Sequence, residues 1–359
     1  MKYKDSDTFS SLLLDNHEQV MFCSDRETGL KAIIAIHDTT LGPALGGLRM
    51  WNYASEKTAL MDALRLSRGM TFKASISGLN LGGGKAVIIG DSTKLKSEPL
   101  LRKFGRFLNN LNGKYITGED VGMTPKDMGY IRMETPHVVG VPEHMGGSGD
   151  PSPITAYGIL VGMKASLQYK FGSESLNDRK IALQGLGHVG ENLLELLLKE
   201  GAKVTVTDVN IERVKYITKK YKVKAVESEK IYDEDMDVFA PCALGAIINN
   251  ETIARLGCKI IAGSANNQLA DEGYHGLMLD KKEILYAPDF LINAGGLINV
   301  SSEMSGYNRN HVVAMVDHIY DVCMEIFKES EKKKISTAII AKQMAEKRIK
   351  EISGIKTRM

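Results

Sequence analysis

Ile181-Ala-Leu-Gln-Gly185-Leu-Gly187-His-Val-Gly190 is an apolar run that stops at three glycines spaced G-x-G-x-x-G. The spacing alone occurs by chance, so its flanks decide its meaning. Before it, Lys180–Gln184 reads as a strand. After it, Glu191 to Glu200 reads as an amphipathic helix. A second strand then ends in Asp208, eighteen residues past the last glycine. In this strand–turn–helix setting the glycines let a pyrophosphate sit against a helix N-terminus, whose unpaired N–H groups attract anions. Gly185, Gly187, His188, Val189 and Gly190 are therefore expected at a dinucleotide. Asp208 is expected to accept hydrogen bonds from the adenosine ribose. Its charge would repel a 2′-phosphate, which favours NAD over NADP.

Strand candidates continue downstream at Lys203–Thr207, Asp237–Ala240, Lys259–Ala262 and Ile284–Ala287, with helical stretches between several of them. That alternation predicts a parallel sheet covered on both faces. Ligands of such sheets bind beyond the carboxyl ends of the strands. Three small or polar loops fall there: Ala240-Pro-Cys242-Ala243, Gly263-Ser-Ala-Asn266-Asn-Gln268 and Asn293-Ala-Gly-Gly296. Thr155 is expected to face the same crevice. Each loop alone could be an ordinary turn, a common place for asparagine, but three in the right place favour a crevice lining.

Upstream, the breaker cluster Gly146-Gly-Ser-Gly-Asp-Pro-Ser-Pro153 predicts a domain boundary. The part before it alternates strand-like and helix-like segments. Lys31–Ile36 reads as a strand, Ser55 to Phe72 as a helix with Ser55 as N-cap, and Leu100 to Leu111 as another helix. The tail from about Asn308 to Ser353 reads as two charged amphipathic helices.

Gly69-Met-Thr-Phe-Lys73 and Gly82-Gly-Gly-Lys85 set two lysines twelve residues apart, the second behind a glycine run. Glycine lets backbone approach closely, so Lys85 is expected near a small ligand. Two neighbouring ammonium groups also repel, which favours a neutral amine able to act as a base. The run is not a phosphate-binding P-loop. Leu79 stands where G-x-x-x-x-G-K-[ST] needs its first glycine, and Ala86 where it needs Ser or Thr. A solvated surface lysine is the ordinary alternative for either residue.

Bulk composition narrows the class. With 359 residues the chain can build two full cores. A net charge of +2 gives no reason to expect nucleic acid or membrane as a partner. The cysteines at 23, 242, 258 and 323 show no C-x-x-C and no zinc spacing, so no metal is expected and reduced cytoplasmic thiols are. The charged N-terminus does not read as a signal peptide, and no apolar run is long enough to span a bilayer.

Several motifs together resemble the glutamate/leucine/phenylalanine/valine dehydrogenases. They are His37-Asp-Thr-Thr-Leu-Gly-Pro-Ala-Leu-Gly-Gly47, Gly69–Lys73, Asn80-Leu-Gly-Gly-Gly-Lys85, Thr117-Gly-Glu-Asp-Val-Gly122, Ser264–Gln268 and Asn293–Gly296. The likeness runs from about His17 to Ile352, and Met50-Trp51 and Pro151–Tyr157 bring it nearest the leucine-specific members. It implies an α/β protein of two domains with a deep cleft between them. Residues 1–148, joined by a C-terminal helix at about 330–359, would bind substrate and form a homo-oligomer, often an octamer. Residues 149–329 would form a Rossmann domain for NAD.

By the same resemblance Lys73 and Asn293 hold the substrate α-carboxylate, Lys85 is the catalytic lysine, and Asp120 exchanges protons with the substrate nitrogen. Hydride leaves Cα for the nicotinamide, and Lys85 then activates the water that attacks the iminium ion, releasing a 2-oxo acid and ammonia. Leu45, Gly46, Gly118, Leu297 and Val300 are implied near the substrate. Gly118 and Leu297 replace an alanine and a valine usual in leucine-specific members, so a wider floor that admits phenylalanine is expected. Leu48 also departs from the small residue usual before Arg49, and nothing in the sequence accounts for it.

Two other readings have specific requirements. A non-catalytic NAD sensor would be expected to have lost Lys85 or Asp120. A 2-hydroxy-acid dehydrogenase would want a His–Asp relay, but His188 lies inside the glycine motif and His37 starts a loop, neither with an evident acidic partner.

Overall fold

The computed structural model describes Leu12 and residues 15–356. The chain divides into two compact units, the first of residues 1–149, 300–308 and 345–359, the second of 150–299 and 309–344.

The first unit is built on β1 (Gln19–Asp25), β2 (Leu30–Asp38), β3 (Ala44–Trp51), β4 (Gly82–Ile89) and β5 (Tyr115–Glu119), with helices α1 (Glu56–Ile76), α2 (Glu98–Asn109) and α3 (Pro125–Arg132). The sheet order is β1-β2-β4-β3-β5. β2 runs antiparallel to β1 and β4, while β3 runs parallel to both β4 and β5. Side chains alternate across β2 with the period of a strand. Ile33 and Ala35 pack with Ala59, Leu60, Ala63 and Leu64 of α1. Ile34 and Ile36 pack with Leu100, Phe104 and Leu108 of α2 and Ile131 of α3. Both faces are therefore covered, and β3, between β4 and β5, becomes a central strand.

Helix α1 begins where the sequence predicts it, with a capping box between Ser55 and Thr58. It ends later than expected. Gly78, at φ +75°, closes it after Ile76, so Lys73 lies in its last turns and is half-buried. Arg348 ties the following loop down, donating to the carbonyls of Ser75 at 3.0 Å and Leu79 at 2.7 Å and to Asn80 Oδ1 at 2.8 Å.

The second unit carries β6 (Lys180–Gln184), β7 (Lys203–Thr207), β8 (Lys224–Ala225), β9 (Val238–Pro241), β10 (Ile260–Ile261) and β11 (Leu285–Tyr286). They form one sheet in the order β11-β10-β9-β6-β7-β8. Every pair in it is parallel. Its helices include α4 (Ser152–Phe171), α5 (His188–Lys199), α6 (Ile211–Tyr221), α7 (Asn250–Arg255), α8 (Glu272–Lys281), α9 (Asp289–Ile292) and α10 (Gly295–Ser301), the last of which runs to the unit's border. From β6 the order runs one way through β7 and β8 and the other way through β9 to β11, so the strand order reverses between β6 and β9. Two-residue β8 escapes a reading by apolar runs because it consists of Lys224 and Ala225 alone.

The tail holds three helices rather than two: α11 (Arg309–Asp317), α12 (Ile319–Lys333) and α13 (Thr337–Lys356). Neither glycine nor proline marks the break at His318, so periodicity reads through it. The four cysteines are free. No helix among the described residues is long and apolar enough to cross a membrane.

Candidate active site

Gly82, Gly83 and Gly84 lie inside strand β4 rather than in a loop. The space their missing side chains leave is taken by the protein itself. A Cβ on Gly82 would stand 2.0 Å from the Asp38 carbonyl oxygen, one on Gly83 2.2 Å from the Thr71 nitrogen, and one on Gly84 2.5 Å from the Tyr115 ring. The run lets α1 and the neighbouring chain close on β4, so the close approach expected of glycine here is made by the protein's own backbone and the Tyr115 ring.

Lys85 follows on the same strand and is 6 % exposed. Its Nζ stands 2.6 Å from Asp120 Oδ2. Asp120 begins the turn after β5, where Met123 N–H donates to its carbonyl at 3.0 Å and Gly122 adopts φ +81°. Because β3 separates β4 from β5, Arg49 on β3 reaches the same oxygen, with Nε 3.1 Å from Asp120 Oδ2. Burial pushes the Asp120 carboxyl up, but the ammonium of Lys85 and the guanidinium of Arg49 outweigh it and hold it down at about 2. The two cations thus favour the anionic form of Asp120 against its burial.

Arg49 also pairs with Asp62 on α1, Nη1 to Oδ2 at 2.8 Å. Asp62 accepts a hydrogen bond from the Tyr53 hydroxyl at 2.7 Å and pairs with Arg65 at 2.9 Å. Burial raises the Tyr53 phenol above its usual range, and the Asp62 charge adds to this. The sequence reading missed Arg49, Asp62 and Tyr53 as site residues. They lie within fourteen positions of one another, on β3, the loop after it and α1, and share no motif.

Leu45 and Gly46 lie on β3, paired with Ile116 and Thr117 of β5. Gly118 is opposite Gly47, but the room it leaves is not open. A Cβ there would stand 3.2 Å from Val139 Cγ2. Any widening at Gly118 is thus shared with the buried Val139. His37 lies within β2 rather than opening a loop. Its Nδ1 is 2.8 Å from Thr71 Oγ1 and its Nε2 2.9 Å from the Asp15 carbonyl oxygen, and burial lowers the imidazole to about 4. No acid relay passes through it. Val300 falls in the first unit and Leu297 in the second.

In the second unit the three glycines of the turn have three different surroundings. Gly185 adopts φ +97°, and a Cβ on it would press on the Cys242 backbone at 2.7 Å. Around Gly187 nothing lies within 4 Å of an added Cβ. A Cβ on Gly190 would collide with the Gly185 carbonyl oxygen at 2.0 Å. One glycine makes the turn, one leaves an approach open, and one lets helix pack on turn, as pyrophosphate binding requires. Helix α5 starts at Gly187 without a side-chain cap, and His188 and Val189 form its first turn. Its first N–H groups thus have no side-chain cap, and such groups attract anions.

Asp208 follows β7 and accepts from Leu186 N–H at 2.7 Å and Asn210 N–H at 2.8 Å. Arg213 is engaged elsewhere, by the Leu186 carbonyl at 2.7 Å and by Glu191. Cys242 and Ala243 follow β9, with Ser264 N–H 3.5 Å from Cys242 Sγ. Thr155 lies on α4, its Oγ1 2.7 Å from where a Gly296 Cβ would be. Asn293, 4 % exposed, donates from Nδ2 to the Ser264 carbonyl at 3.0 Å and to Asn266 Oδ1 at 2.8 Å, while its Oδ1 is unpaired. In this orientation the amide has no free donor, so it must turn over to grip a carboxylate. Among the described residues no cluster of three or more His, Cys, Asp or Glu could hold a metal ion.

A parallel sheet with this turn at its reversal point fits a dinucleotide cofactor, and a buried lysine paired to a fixed carboxylate fits proton transfer. Together they define the class as a nicotinamide-linked dehydrogenase. The family model described as the Glu/Leu/Phe/Val dehydrogenase dimerisation domain matches residues 17–137, and that of Glutamate/Leucine/Phenylalanine/Valine dehydrogenase matches 146–211 and 205–354. The chain belongs to this family and is an amino-acid dehydrogenase. It is 54 % identical over 334 residues to leucine dehydrogenase of Thermoactinomyces intermedius, covering 93 % of this chain and 91 % of the relative. It is also 51 % identical over 343 residues to phenylalanine dehydrogenase of Caldalkalibacillus thermarum, covering 94 % and 92 %. The crystal structure of L-tryptophan dehydrogenase from Nostoc punctiforme superposes with a TM-score of 0.84 at 46 % identity, covering 96 % of this chain and 99 % of that one.

Proposed function

We propose that this enzyme catalyses the reversible, NAD-dependent oxidative deamination of apolar L-amino acids, with leucine, valine and isoleucine as main substrates and measurable activity on phenylalanine. The observation that carries the chemistry is the 2.6 Å pair of Lys85 and Asp120. When bound, the nicotinamide supplies the acceptor for the hydride that leaves Cα. In this reading Asp120 exchanges protons with the substrate nitrogen. Lys85, having passed its proton on, takes one from the water that adds to the iminium carbon, and ammonia departs from the carbinolamine. Lys73 and Asn293 hold the α-carboxylate.

Identity does not select the substrate, since relatives named for leucine and phenylalanine differ by only three percentage points, 54 % against 51 %. Chemistry does more. Leu45, Leu297 and Val300 offer a side chain no charged partner, so the second carboxylate of glutamate would be buried unpaired at a cost of several kcal/mol. NAD is favoured over NADP because Asp208 is an acid at the end of β7 and Arg213 is already paired with Glu191. Assembly of like subunits, as an octamer by family resemblance, is supported by the description of the N-terminal family model as a dimerisation domain. A panel of amino acids and 2-hydroxy acids with NAD, read at the NADH absorbance band, tests the assignment. Reduction with leucine but not with glutamate or hydroxy acids is expected. Preferential glutamate turnover would overturn it.

A further inference from the structure

Two cations converge on one oxygen of Asp120, and only one of them has a role in the chemistry above. Lys85 Nζ is 2.6 Å from Oδ2, and Arg49 Nε is 3.1 Å from it. Arg49 is itself anchored. Its Nη1 holds Asp62 at 2.8 Å, and Asp62 is gripped by the Tyr53 hydroxyl at 2.7 Å and by Arg65 at 2.9 Å. All of these groups belong to the first unit.

We propose that Arg49 is a positioning residue, fixed by Asp62 and Tyr53, that keeps the Asp120 carboxylate anionic and aimed while Lys85 is without its proton. The proposal rests on the reading of Lys85 and Asp120 as the reacting pair. That reading requires Lys85 to spend part of the cycle as a neutral amine. At that point Asp120 loses one of its two counter-charges, while burial still favours its protonated form. A guanidinium cannot be deprotonated in a protein, so Arg49 stays charged at the step where the ammonium does not. Its planar fork also spans Asp120 and Asp62 at once, which a single ammonium could not do with the same geometry.

The charged and titratable groups that face Asp120 are Lys85 from β4, Arg49 from β3 and the buried Tyr115 from β5. Tyr115 donates its proton to the Gly46 carbonyl at 2.7 Å and gives Asp120 no charge. Among the described residues that contact Asp120, Arg49 is therefore the cation that keeps its charge.

The test is the pH profile of kcat, with saturating leucine and NAD, for the wild type, Arg49→Met, Arg49→Lys and Asp62→Asn. In Arg49→Met the acid limb should move up by about one pH unit or more, as Asp120 becomes easier to protonate. Its plateau kcat should fall by about 10–100-fold. Arg49→Lys should restore the acid limb but not the full plateau, which separates charge from geometry. Asp62→Asn leaves both cations in place but loosens Arg49, so it should lower kcat without moving the acid limb.

A wild-type acid limb in Arg49→Met, in protein shown folded by circular dichroism, overturns the proposal. If Arg49→Met does not fold, Asp62→Asn and Tyr53→Phe decide, and wild-type kcat in both is equally fatal. A wild-type enzyme inert toward amino acids would instead remove the underlying reading, and the role of Arg49 with it.

Discussion

Two glycine triplets look alike in the sequence and do opposite things in the fold. Gly82–Gly84 is walled in: a Cβ added to each would meet the Asp38 carbonyl, the α1 backbone or the Tyr115 ring within 2.5 Å. In Gly185–Gly190 two glycines are equally confined, but the middle one, Gly187, opens onto nothing within 4 Å. The first run is glycine because protein must fit there. The open position in the second leaves the approach that the proposed pyrophosphate site would use.

Substitutions can break that contrast. The largest effect is expected for Gly83→Ala, whose methyl would meet the Thr71 nitrogen at 2.2 Å and the Ser67 carbonyl at 2.4 Å, backbone atoms that cannot swing away. A loss of about 3 kcal/mol or more is expected, seen as a lowered denaturant midpoint or no folded protein. An unchanged midpoint would mean that β4 does not pack on α1 as described.

Gly187→Ala should leave the midpoint within about 0.5 kcal/mol of wild type. The added methyl should nonetheless weaken NADH binding about tenfold or more, read by cofactor fluorescence. Undiminished affinity would take the pyrophosphate away from this turn. For the neighbouring acid, kcat/KM is expected to favour NAD over NADP by about 100-fold, because the 2′-phosphate would meet Asp208. Equal efficiency would separate Asp208 from the ribose.

The smallest effect is expected at Gly118, a confined glycine whose neighbour is a side chain rather than backbone. The methyl of Gly118→Ala would stand 3.2 Å from Val139 Cγ2, which can give by a few tenths of an ångström. Phenylalanine turnover should fall relative to leucine by a few-fold, about 1 kcal/mol. An unchanged ratio would separate this position from specificity.

What the sequence disclosed follows the same physics. β6 and β7 are bounded as expected because Ile181-Ala-Leu183 and Val204-Thr-Val206 are compact apolar runs at strand spacing. The N-cap of α1 was legible because a capping box is local. Lys85 and Asp120 sit in separate motifs thirty-five positions apart and meet only because β3 is shared between their strands. The Arg49–Asp62–Tyr53 support was not legible, since an ion pair between a strand and a helix leaves no periodic trace. Nor was the orientation of Asn293, which its partners Ser264 and Asn266 set. The break at His318 escaped because no breaker residue marks it.

The chemistry and the cofactor are assigned to different units, and Lys85→Ala separates them most directly. Leucine turnover and NADH binding would be measured on the same preparation. Turnover should fall by about 10²–10⁴-fold, the usual effect of removing a positioned acid–base group, while the NADH dissociation constant stays within about twofold of wild type. A variant that keeps more than about a tenth of wild-type turnover would contradict the role given to Lys85.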